Sequence, residues 1–180
     1  MEPIKTDRLL LRPFEPRDLD DLYAIQSRPD VVRYLYWDVR TRPEVAADLV
    51  QRAAMDRFAG EGDMLLLAAQ RTDTGRVVGD VSLGWRSAEH SQAEIGFVFH
   101  PDVAGLGYAR EAAAAVIDLA FRSAGLHRVY GRTDARNLAS ARLMRRLGMR
   151  QEAHLIENEM FKGEWSDELV FAVLAQEWTS

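Results

Sequence analysis

The segment that most constrains the fold runs from Glu94 to Thr133: an alternating strand, a loop with two glycines, a long alanine-rich helix, and a second strand. In Glu94–His100, Ile95, Phe97 and Phe99 fall on one face, and Glu94, Gly96 and Val98 on the other. The loop His100-Pro101-Asp102-Val103-Ala104-Gly105-Leu106-Gly107 opens directly onto a helix expected from Gly107 to Ala124, closed by Gly125. Val129–Thr133 then reads as a strand. Such a unit is a right-handed parallel crossover. It also places unpaired backbone N–H groups and the positive end of a helix dipole beside flexible glycines, which suits an anionic phosphate.

The rest of the chain places this unit in a mixed sheet. Arg8–Arg12 reads as a strand. Pro16 starts a helix carrying Leu19, Leu22 and Tyr23, and Thr41-Arg42-Pro43-Glu44 has capping-box spacing ahead of Val45, Leu49 and Ala53. Met64–Gln70 and Val77–Leu83 form a hairpin across the turn residues Thr72–Gly75. Ala139–Leu147 is a short basic helix ending at Gly148. Glu152–Phe161 and Asp167–Leu174 are strands joined at Lys162-Gly163. The order β-α-α-β-β-β-α-β-α-β-β predicts an α/β fold with helices on both faces, spanning residues 1–180 as one domain.

Composition removes several function classes. The 180 residues include no cysteine, which excludes disulfides, a thiolate nucleophile and a cysteine-based zinc site. His90, His100, His127 and His154 are scattered, so no metal is expected. The formal net charge of −5 argues against non-specific nucleic-acid binding. No run spans a membrane and the N-terminus lacks signal-peptide features, so a cytoplasmic protein is expected. Charge is nonetheless segregated: Arg128 to Arg150 is strongly basic, whereas Glu152 onward is acidic.

The phosphate ligand is not settled by the loop alone. It lacks the Gly-Lys-Ser/Thr ending of an ATP-binding loop, and Arg110 stands where a dinucleotide fingerprint needs Gly or Ala. A plain connecting loop is equally compatible with these residues. The loop resembles the acetyl-CoA pyrophosphate loop of the GNAT superfamily of N-acetyltransferases, Gln/Arg-x-x-Gly-x-Gly/Ala, with Gly107 and Ala109 matching and Ala104 replacing the Gln or Arg. Thr6-x-Arg8-Leu9-x-Leu11-Arg12-Pro13, the aromatic run Tyr34–Trp37, Asn137-x-x-Ser140 with Leu147-Gly148-Met149, and Gly163-x-Trp165-x-Asp167 resemble, in order, features of the ribosomal-protein N-terminal acetyltransferase branch.

This resemblance implies a mostly antiparallel sheet of about seven strands with four helices, and transfer of an acetyl group from acetyl-CoA to a primary amine. It places the pantetheine arm along Phe97, Val98 and Phe99, on backbone opened by a bulge, with an N–H near Val98 for the oxyanion. The pyrophosphate falls on Ala104, Gly105, Leu106, Gly107, Tyr108, Ala109 and Arg110. Asn137 belongs to the second cofactor motif, and Ser140 holds the leaving thiolate. Glu94 and Glu159 are the candidate bases. Tyr34, Trp37 and Trp85 are candidates for the acceptor pocket, and a homodimer is common in the branch. The competing expectation is a GNAT-like module that binds acyl-CoA without turnover.

Overall fold

The computed structural model describes residues 2–179. Eight strands form one sheet: β1 Ile4–Lys5, β2 Leu9–Arg12, β3 Met64–Arg71, β4 Val77–Ser87, β5 Gln92–Phe99, β6 Arg128–Asp134, β7 Arg150–Phe161 and β8 Glu164–Leu174. Their spatial order is β1-β2-β3-β4-β5-β6-β8-β7, and only the β5–β6 pair is parallel. The eighth strand beyond the seven expected is β1, two residues that fold back on β2. The helices are α1 Leu19–Gln26, α2 Pro29–Val32, α3 Arg42–Ala53, α4 Tyr108–Asp118 and α5 Leu138–Arg146. The short α2 is the addition to the four expected. The predicted 107–124 helix is α4 prolonged by a wider π-helical turn over Leu119–Ser123, where the Ala124 amide reaches back to the Leu119 carbonyl.

Strand β3 shows why an unbroken apolar run folds as a strand here. Its two faces enter different cores, so neither face has a place for polar residues. Leu65, Leu67 and Ala69 pack with Val116, Ile117 and Ala120 of the α4 region, while Leu66 and Ala68 pack with Leu22, Val45 and Leu49 of α1 and α3. At the start of α3, Glu44 accepts hydrogen bonds from the Thr41 amide and hydroxyl, both at 2.7 Å, and this cap aims Val45 and Leu49 inward.

The element that matters most for a site is the β5–β6 pair. Its ladder runs for three rungs only, from Gln92↔Arg128 to Glu94↔Tyr130, although β5 continues to Phe99 and β6 to Asp134. Past that point β5 stays with β4 up to Gly79↔Phe99, and β6 stays with β8 up to Asp134↔Glu168. The two halves of the sheet therefore part, leaving a wedge. The expected bulge in β5 is absent, because β4–β5 register is continuous from Phe99 to Ala93 and its irregularity lies between Trp85 and Ser87 of β4. Divergence of neighbouring strands opens the backbone instead.

The last strand pair carries its own irregularity. Leu155 pairs with Glu168 and Glu159 with Ser166, four steps along β7 against two along β8. Glu157 occupies a positive φ of 45° in the looped-out stretch, and its amide donates to Asp167 at 2.9 Å.

Beneath β5, the buried Asp80 of β4 sits opposite Val98 and accepts from Arg52 of α3 at 2.9 Å, and Asp48 accepts from Arg52 at 2.5 Å. Arg52→Met, which leaves Asp80 buried and unpaired, should destabilise the chain by about 3–5 kcal/mol in urea unfolding, and adding Asp80→Leu should recover much of that loss.

Candidate active site

The wedge opens into a cleft of about 460 Å³. Phe97, Val98 and Phe99 line it, together with Ala104, Gly105 and Gly107 of the glycine loop. Ala109 and Arg110 follow from the first turn of α4; Asn137 and Ser140 enter from the start of α5, and Tyr34 closes the side near α2. Most of the residues expected on the cofactor side thus meet in one place. Gly105 and Gly107 adopt φ of 79° and 87°, conformations that side-chain-bearing residues rarely take, and so turn the chain into α4 within a few residues.

Two loop residues turn away from the cleft. Leu106 projects outward at 53% exposure, and Tyr108 is buried beneath the guanidinium groups of Arg8 and Arg71. Both shape the loop without presenting a side chain to a ligand. Asn137 is the cap of α5, accepting from the Ser140 amide at 3.1 Å, and it lines the cleft as well. The hydroxyl of Ser140 makes no hydrogen bond to another described residue.

The opposite mouth of the wedge is acidic. Alternation puts Glu94, Tyr130, Arg132 and Glu168 on the face away from α4 and α5, since their strand neighbours Ile95, Val129, Leu169 and Phe171 enter that core. Glu94 receives Arg86 at 2.9 Å and Arg132 at 3.0 Å, one on each oxygen. Arg132 also reaches Glu168 at 3.2 Å, and Asn158 donates to the second Glu168 oxygen at 3.0 Å. Glu159 of β7 carries a different partner: the Tyr36 hydroxyl donates to its two oxygens at 2.9 and 3.0 Å. Partial burial, reinforced by that carboxylate, pushes the Tyr36 hydroxyl up to about 12. Burial likewise pushes the Glu168 carboxyl up; Arg132 opposes this while Glu159 and Glu94 add to it.

The loop carrying Tyr36 is tied down by Lys162 of the β7–β8 turn, which donates to the carbonyls of Val32 and Trp37 at 3.0 Å each. Of the three aromatics expected at the acceptor pocket, only Tyr34 reaches the cleft. Trp85 packs on Phe58 with ring centres 5.1 Å apart, and Trp37 lies under the Arg40 guanidinium. The sequence reading passed over Tyr36, Arg132 and Glu168 as site residues. Periodicity supplies a signal for the last two: they alternate with the buried Gly131, Leu169 and Phe171, so they must share the face of Glu94.

The family model for the acetyltransferase (GNAT) domain matches residues 8–150. The chain is 31% identical over 175 residues to the uncharacterized N-acetyltransferase YnaD of Bacillus subtilis (strain 168), covering 97% of this chain and 98% of that one. The crystal structure of a GNAT-family acetyltransferase from Bacillus anthracis superposes with a TM-score of 0.87 at 29% identity, covering 98% of this chain and all of the other. Spermidine N-acetyltransferase from Vibrio cholerae, in complex with CoA and spermine, shares the fold at a TM-score of 0.78 and 20% identity, covering 96% of this chain and 98% of that one.

Because the folded state holds the Glu168 proton more tightly than the unfolded chain does, ionising it opposes folding. The stability of the wild type relative to Glu168→Gln should be greatest below the ordinary carboxylate titration near about 4.3, and should fall as pH rises above it. Urea unfolding of both proteins from about pH 4 to about pH 8 measures this difference. By the matched domain and the shared fold, the chain belongs to the GNAT family of acetyl-CoA-dependent acetyltransferases.

Proposed function

We propose that the chain moves an acetyl group from acetyl-CoA to a primary amine by direct attack, with the coenzyme arm in the β5–β6 wedge and the amine arriving from the acidic mouth. The observation that carries this reading is the parting of β5 and β6 after three rungs, between a glycine-bearing helix start and a cluster of carboxylates. Acetyl-CoA brings the acetyl group already activated as a thioester. The backbone donors of Gly105, Gly107, Tyr108 and Ala109, at the positive end of α4, take the pyrophosphate; the Leu106 amide is held by the Val103 carbonyl. Ala104 supplies no side-chain contact, but those amides do not depend on it.

In the reaction the amine nitrogen bonds to the carbonyl carbon as the carbon–sulfur bond breaks. The backbone N–H of Phe97, next to Val98 and on the edge of β5 that faces the gap, stabilises the oxyanion that develops. The Ser140 hydroxyl donates to the departing thiolate. Glu159 takes the amine's proton, directly or through water: among the described residues its only side-chain partner is Tyr36, whereas both oxygens of Glu94 are engaged by arginines. Glu94 accordingly fixes Arg132, and Arg132 orients Glu168.

At pH 7, freeing an α-amine of pKa about 8 requires about 1.4 kcal/mol, against about 4.6 kcal/mol for a lysine near about 10.4. One half-buried carboxylate suits the first better. This favours an N-terminal α-amine, in keeping with the resemblance to the ribosomal-protein branch. The acidic mouth also accommodates a polyamine such as the spermine held by the Vibrio relative. A thiol-release assay against a peptide with a free N-terminus, an Nα-blocked lysine peptide and spermidine ranks these acceptors. With the preferred amine, Glu159→Gln should lower kcat by about a hundredfold or more while acetyl-CoA affinity holds. Tight acetyl-CoA binding with no thiol release from any amine would identify a binding module instead.

A further inference from the structure

We infer that Arg8 is a positioning residue for the coenzyme, a clamp that holds the pyrophosphate loop in its donor-presenting shape from the side opposite the cleft. The inference rests on the reading of Gly105–Ala109 as the pyrophosphate site. Arg8 precedes β2, far from the loop in sequence, yet its guanidinium and backbone amide reach the loop and the first turn of α4. Its Nη1 donates to the Leu106 carbonyl at 2.9 Å, its Nε to Glu111 at 2.7 Å, and its backbone amide to the other Glu111 oxygen at 2.8 Å. The guanidinium lies 4.5 Å over the Tyr108 ring. A Cβ placed on Gly107 would come within 3.2 Å of Nη2. Arg8 is itself anchored, because its carbonyl accepts from the Thr72 amide at 3.0 Å and hydroxyl at 3.1 Å.

Two consequences follow for an anion at the start of α4. Leu106 lies between the two positive-φ glycines, so gripping its carbonyl fixes the Leu106–Gly107 peptide plane, which carries the Gly107 N–H at the entry to α4. Glu111, in the first turn of α4, would otherwise set a bare negative charge beside the pyrophosphate. Arg8 pairs with it at 2.7 Å, and Thr6 donates to it at 2.6 Å. Both residues belong to the Thr6-x-Arg8 opening, which no step of the acetyl transfer uses. Since Ala104 contributes no side chain from within the loop, the rigidity comes from outside it.

A residue that only stabilised the fold would affect every thioester alike. A residue that shapes the pyrophosphate loop affects only thioesters that carry a pyrophosphate. Arg8→Met should therefore raise the KM for acetyl-CoA about tenfold, the loss expected for one charge-assisted hydrogen bond, with little change in kcat at saturation or in acceptor KM. The same variant should use the acetyl thioester of pantetheine, which has no phosphate, as well as the wild type does. Arg8→Lys keeps the charge but cannot fork between Leu106 and Glu111, so it should show the same selective defect in smaller degree, and it carries the comparison if Arg8→Met fails to fold. Equal losses with both thioesters, or no loss with either, would overturn the inference. Failure of the wild type to use acetyl-CoA would instead remove the functional reading beneath it.

Discussion

A β-sheet normally satisfies its backbone by continuing each ladder for the length of both strands. Here β5 and β6 stop after three rungs, and the remaining backbone of each faces a gap. The chain tolerates this because each strand keeps its other neighbour: β5 is secured by β4, and β6 by β8. The gap is thus built between two sound half-sheets. It leaves strand-edge hydrogen-bonding groups of β5 and β6 open to the cleft, between the two faces of the sheet. The glycine loop, the cap of α5 and the acidic mouth are all arranged around it.

The electrostatics divide along the same line. On one side the start of α4 gathers backbone donors, with Arg110 on the cleft wall. On the other, Glu94, Glu159 and Glu168 are moderated by Arg132 and Tyr36 rather than neutralised. An anionic coenzyme and a cationic amine would approach from mouths of opposite character, which orders them before any close contact forms. The formal net charge of −5 does not reveal this, because it sums ionised side chains without regard to position and leaves backbone donors out.

Much of the frame was legible in the residues. Strand alternation assigned the faces of Ile95 and Glu94 correctly, the capping box at Thr41 fixed the start of α3, and the glycines located the entry to α4. Three kinds of feature were not legible. Strand divergence leaves no mark in either strand's own sequence, so a bulge was expected in its place. Side-chain direction in the glycine loop depends on positive φ values, which is why Leu106 and Tyr108 turned out to face away from the cleft. Contacts across long separations, such as Tyr36 with Glu159 and Lys162 with the Trp37 carbonyl, arise only once α2 and the β7–β8 turn are packed together. Trp37 and Trp85 were chosen for their chemistry alone, and neither lines the cleft.

The looped-out stretch of β7 has a consequence for how this chain can change length. Strand side chains alternate with a period of two, so an excess of two residues between Leu155 and Glu159 leaves both on the same face of the sheet. Glu159 also takes its face from Ser166, its partner close to the Lys162-Gly163 turn, so its side of the sheet is set from the hairpin end rather than from Leu155. The same strand already absorbs a single extra residue between Gln151 and Ala153. The looped-out stretch can therefore change length while the Glu159 carboxylate keeps its side of the sheet and its contact with Tyr36.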